Sequence, residues 1–292
     1  MKHSMYFFFF LTLISFKSNA SEPFIPNSDD FIVAEWTTST TQLALNEQIE
    51  QLLSQAVYPG NSANYSIAAN LLKKAKVDEL SQVQRLYFEA VIKQHYHRFE
   101  ESKDLLLALL QKDPAHVNAI LLLSNIHSVL GEAEQATKMC VRLLLTTDQT
   151  LVAVCALNAK AQDGQLSESV KQLSSLLKGK MPENKELAIW IAEVHASLVK
   201  SNGNARLADQ LLTPFLDLQL PLSFWVLWSD IQLELDKPQN IIERVQPVVQ
   251  ATNNEDDALI LKLAIAEQKT GATTREWRDK ARARVNLRES RN

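Results

Sequence analysis

Two small sets of residues in this chain could do chemistry. His95-Tyr96-His97 is the one histidine cluster, and neutral imidazoles at that spacing can hold zinc or copper. His116 or His127 could approach it from a following helix. The competing reading is a pair of solvated rings at a turn. Cys140 and Cys155 are the two cysteines. An even number suits a single bridge in an oxidising compartment, whereas two reduced cysteines would behave as small core residues. No glycine-rich phosphate loop, G-x-S-x-G elbow, H-E-x-x-H helix or paired-cysteine zinc spacing occurs. The expectation is a chain without catalytic residues or cofactor.

The elements that position these residues follow from a repeat. Ala68, Ser102, Ala136, Ser169, Ala208 and Ile242 lie at intervals of 34, 34, 33, 39 and 34. Most have short side chains, as a close helix crossing requires. Four residues after the first five stand Leu72, Leu106, Cys140, Leu173 and Leu212, and seven after them Ala75, Leu109, Leu143, Leu176 and Phe215. These spacings share one helix face. Five residues before the small position, Gly131, Gly164 and Gly203 suit left-handed caps ending a first helix, and Gly271 marks a last, degenerate unit. A helical hairpin repeated at this pitch buries its apolar face only by stacking on its neighbours.

The unit from Val117 to Asp148 carries a family resemblance, with Leu123, Ser124, Gly131 and Ala136 in its leucine and small–glycine–small positions. Ile120 and His127 stand where tryptophan and tyrosine are usual. The preceding unit keeps Ala90, Phe99, Ser102 and Pro114. The chain resembles the tetratricopeptide repeat family from about Leu43 to Asn292. Its tail EDDALILKLAIAEQ is similar to the last repeat of exported bacterial members. The resemblance implies an all-α, right-handed α-solenoid of about six to seven helix-turn-helix repeats.

It also implies that the first helices of successive hairpins line a concave groove. By register that groove holds Tyr87, Phe88, Val91 and Gln94, then Leu121, Leu122, Asn125 and Ser128, then Val154, Cys155, Asn158 and Gln162. Asn125 and Asn158 recur 33 apart and could hydrogen-bond a peptide backbone as donor and acceptor. With no Lys or Arg at these positions, the family's carboxylate clamp is disfavoured and an apolar or amphipathic segment is favoured. In the same register Cys140 and Cys155 fall on neighbouring helices, so a bridge is geometrically open to them. The function expected is a non-enzymatic adaptor that binds a peptide or helix of another envelope protein. The alternative is a metal-binding accessory protein using His95 and His97.

Composition sets the remaining bounds. The formal net charge is −4, and without the first 20 residues it is 28 − 34 = −6, since only Lys2 and Lys17 are lost. No basic stripe exists for a phosphate backbone, which argues against nucleic acid as partner. Residues 1–20 read as a signal peptide: Lys2, an apolar run from Met5 to Phe16, and Ser18-Asn19-Ala20 for cleavage. The run is too short for a comfortable span, so the mature form is expected without a stable membrane span, exported, and periplasmic if bacterial. Residues 21–42 read as an extended segment that either caps the first repeat or docks on a partner. The polar insertion at 179–185 suggests two repeat blocks, 43–180 and 181–292, the second ending in a capping helix.

Overall fold

The computed structural model describes residues 43–145, 147–178, 181–252 and 256–289. Residues 1–20, expected as a signal peptide, and residues 21–42, expected as an extended segment, lie outside them. The described residues form fourteen α-helices and no strand. They run α1 Leu45–Ala56, α2 Ala63–Lys74, α3 Gln82–His95, α4 Phe99–Lys112, α5 Val117–Val129, α6 Ala133–Arg142, α7 Gln149–Lys160, α8 Leu166–Leu176, α9 Lys185–Ser201, α10 Ala205–Leu212, α11 Leu222–Glu234, α12 Pro238–Ala251, α13 Asp257–Lys269 and α14 Glu276–Glu289. Consecutive helices pair into seven hairpins. Each odd-numbered helix also packs on the next odd-numbered one, and each even helix on the odd helix that follows it. The result is a helical-repeat solenoid with one layer of first helices and one of second helices.

Local chemistry starts and stops these helices. Ser81 caps α3 reciprocally with Gln84, and Asp148, Asn184 and Asn204 accept backbone N–H groups at the starts of α7, α9 and α10. His116 does the same for α5, its Nδ1 accepting from the Ala119 N–H at 3.2 Å. First helices end in the left-handed conformation at Gly131, Gly164, Gly203 and Gly271. Two equivalent positions lack glycine: His97 has φ +58° and Asp236 φ +55°. Pro214 falls in a short 3-10 turn just after α10, whereas α12 continues through Pro247.

The small positions are buried where the helices of a hairpin cross. Ala68, Ser102, Ala136 and Ala208 are inaccessible, and Ser169 nearly so. The serines there need partners: the Ser102 hydroxyl donates to the Ala90 carbonyl across the hairpin at 2.7 Å. In the sixth hairpin the buried residue is Ile241, and Ile242 is only partly covered. The register there sits one residue earlier than the even spacing suggests. It agrees with Asp236 five residues before it and Val245 four after.

Leu43 to Asn292 form one compact unit. Its core crosses the 179–185 insertion, because Val154, Leu157, Leu173 and Leu177 pack with Ile191 and Leu198. No helix among the described residues is long and apolar enough to cross a membrane.

The two ends of the array also meet. In the turn between α1 and α2, the Val57 carbonyl accepts the Leu222 N–H at 2.8 Å. The Gly60 N–H donates to the Asp256 carboxylate at 3.0 Å. Gly60 has φ +91°, and a Cβ there would lie 2.9 Å from Cβ of Thr252. Only glycine fits that approach.

Candidate functional site

The first helices enclose a cavity of about 690 Å³ on their shared face. In α5, Asn118, Leu121, Leu122 and Asn125 follow the i, i+3, i+4, i+7 pattern of a single helix face and all line it. Tyr87 of α3, Leu151, Cys155 and Asn158 of α7, and Leu187, Trp190 and Val194 of α9 complete most of the wall. Val57, from the turn that closes the array, adds a further side. The wall is mostly apolar. Its polar groups are chiefly the Asn118, Asn125 and Asn158 amides, of which the first two are exposed.

Six of the expected groove residues therefore come together: Tyr87, Leu121, Leu122, Asn125, Cys155 and Asn158. Phe88 and Val154 do not belong to the groove. Phe88 is 1% exposed and packs into the core of the first hairpin, and Val154 is inaccessible between α7, α8 and α9. First helices stack side by side, so a flank position that looks concave by register is covered by the neighbouring first helix. Val91 packs against the same first-hairpin core, and Ser128 is buried.

A second cavity of about 410 Å³ adjoins the first and shares Asn158, Trp190 and Val194 with it. Gln162, Glu193, Ser197, Ser223 and Leu227 finish its lining. Burial pushes the Glu193 carboxyl up to about 7, although the Ser223 hydroxyl donates to it and works the other way. Burial likewise raises the Tyr87 phenol, with the nearby Glu50 charge adding to the effect.

Cys140 and Cys155 are joined in a disulfide, with Cα atoms 5.6 Å apart. It ties the second helix of the third hairpin to the first helix of the fourth. Ser124 lies against both sulfurs, at 3.1 Å and 3.5 Å, while its hydroxyl donates to the Ala136 carbonyl.

The histidines are drawn into other contacts. His95 stacks on Tyr65 with ring centroids 3.6 Å apart, and burial followed by the neighbouring His97 lowers its pKa. His97 meets Phe99 edge-on, His116 caps α5 beside Tyr87, and His127 pairs with Glu132. Among the described residues no group of three or more His, Cys, Asp or Glu side chains is placed to hold a metal ion.

No protein-family model matches the sequence, and no curated protein matches it. A crystal structure of a tetratricopeptide repeat protein from Parabacteroides merdae ATCC 43184 is similar over 78% of this chain and 86% of that one, with TM-score 0.56 and 14% identity. With the odd-on-odd helix stacking and the 34-residue pitch, the likeness decides the architecture. The chain has the tetratricopeptide-repeat fold. In this tetratricopeptide-repeat solenoid the concave face is the wall of first helices just described. Trp190, Glu193 and Val194 belong to it; they precede Gly203 as Asn118, Leu121 and Leu122 precede Gly131, and the expected groove had ended one first helix earlier, at α7.

Proposed function

We propose that the chain is a non-enzymatic, exported scaffold that holds an apolar peptide or helix of another envelope protein in its concave groove. The fold itself suggests a protein-interaction role. The observation that carries the finer reading is the cavity between α3, α5, α7 and α9: apolar walls for side chains, with the Asn118, Asn125 and Asn158 amides spaced to meet a backbone. Apolar walls release water on contact, and the amides orient what enters. Export is supported by Lys2 and the apolar run at Met5–Phe16, together with a bridge of the kind that persists in oxidising compartments.

Affinity selection from a random dodecapeptide phage library against the purified chain tests the groove. Selected peptides should be apolar and should be lost on Leu121→Glu, which places an unpaired charge where the ligand must desolvate it. They should be retained on Lys138→Glu, a change on the exposed face of α6. Peptides held equally by Leu121→Glu would move the binding surface elsewhere.

A further inference from the structure

Glu193 is the single side chain with a formal charge among the residues lining the two adjoining cavities. Trp190, Glu193, Val194 and Ser197 share one face of α9, so this carboxyl opens onto the same concave surface as the apolar chamber. Ser223 supplies a hydroxyl donor, and among the described residues no cation of the chain pairs with the carboxylate. A half-buried carboxylate without a counter-charge is unfavourable, and it is relieved either by a proton or by a cation brought from outside.

We propose that the segment bound in the concave groove carries one cationic side chain, lysine or arginine, flanked by apolar residues, and that this cation pairs with Glu193. The inference rests on the groove reading above and adds the chemistry of its occupant. The apolar flanks fill the larger cavity along Leu121, Leu151 and Trp190. The cation reaches the smaller one past the shared wall of Asn158, Trp190 and Val194. A charge-assisted hydrogen bond to a half-buried carboxylate is stronger than its equivalent at a fully exposed surface. The rise of the Glu193 pKa with burial has the same origin: the site disfavours a bare negative charge and favours a compensated one. Only a ligand that carries the compensating charge gains from it, so Glu193 acts as a selector among apolar segments.

The test is parallel selection of the dodecapeptide library on the parent chain, Glu193→Gln, Leu121→Glu and Lys138→Glu. A double-mutant cycle follows, pairing the best parent-selected peptide and its Lys→Gln or Arg→Gln derivative with the parent and with Glu193→Gln. The expected result is an apolar consensus with one fixed basic position on the parent and loss of that position on Glu193→Gln. Neutralising either partner should then weaken binding by at least about tenfold, with no further loss when both are neutral. If the parent and Glu193→Gln select the same apolar consensus without a fixed basic residue, the cation proposal is overturned while the groove stands. If every selected peptide survives Leu121→Glu, the groove reading and the cation proposal fall together.

Discussion

The Gly60 backbone N–H donates to the side chain of Asp256, 196 residues away, at 3.0 Å. The first hairpin of the solenoid is thereby fastened to the start of α13. Gly60 can sit there because it lacks a Cβ and takes φ +91°. Gly60→Ala should cost about 1–3 kcal/mol, combining left-handed strain with collision against Thr252. Thermal melting should drop by several degrees, and hydrogen exchange should speed up at the Leu222 amide, which donates to Val57. Unchanged exchange at Leu222 in this variant would mean that the turn does not hold the two ends together.

The titration of Glu193 gives a pH signature. Its carboxyl is raised from an ordinary 4.5 to about 7, so between those values the folded chain holds a proton that the unfolded chain has released. The Glu193 contribution therefore makes stability fall as pH rises from about 4.5 to about 7. Glu193→Gln should remove that decline. The stability of the variant relative to the parent should grow across this window and level off above it, as read by urea unfolding at a series of pH values. A constant difference across the series would contradict the buried placement of Glu193.

The disulfide closes a short loop, with 15 residues of sequence separation. A loop of that size is worth roughly 3 kcal/mol when the unfolded chain is constrained. Reduction, or the double change Cys140→Ser and Cys155→Ser, should lower denaturant resistance accordingly. Resistance unaltered by reductant in the parent would be inconsistent with a bridge.

His97 occupies a left-handed position that glycine fills in four other hairpins. His97→Gly should stabilise the chain by about 0.5–1 kcal/mol by removing that strain. A loss of stability would show that the ring contact with Phe99, at 5.5 Å, outweighs the backbone term.

What the sequence made legible was whatever repeats. The pitch located the crossings at Ala68, Ser102, Ala136, Ser169 and Ala208, the glycine caps, and Leu121, Leu122 and Asn125 on the cavity wall of α5, but it also put the buried Ser128 there and passed over Asn118. It misplaced the sixth crossing by one, because Ile241 and Ile242 are identical in type and Asp236 does not look like a left-handed cap. It assigned Phe88 and Val154 to the groove because register fixes a helix face but not which flank a neighbouring helix covers. Glu193 and Trp190 were within reach of the same register: they precede Gly203 by 10 and 13 residues, as Leu121 and Asn118 precede Gly131, but the expected groove ended at α7. Contact between Gly60 and Asp256 has no local signal at all. It depends on curvature summed over six hairpins, each rotation too small to read from side-chain types.

That contact also fixes a number. A linear array of stacked hairpins can gain or lose a unit with little consequence beyond its length, since each unit touches only its neighbours. In this chain an added 34-residue unit anywhere between α2 and α11 would carry Asp256 one hairpin beyond Gly60. Val57 would no longer share the chamber wall with Trp190 and Leu187, and the chamber would lose that side. The count of hairpins between the two ends is part of the groove's specification, as much as any residue lining it. Duplication or deletion of a whole repeat, ordinarily the mildest change to such a protein, should be among the most damaging here.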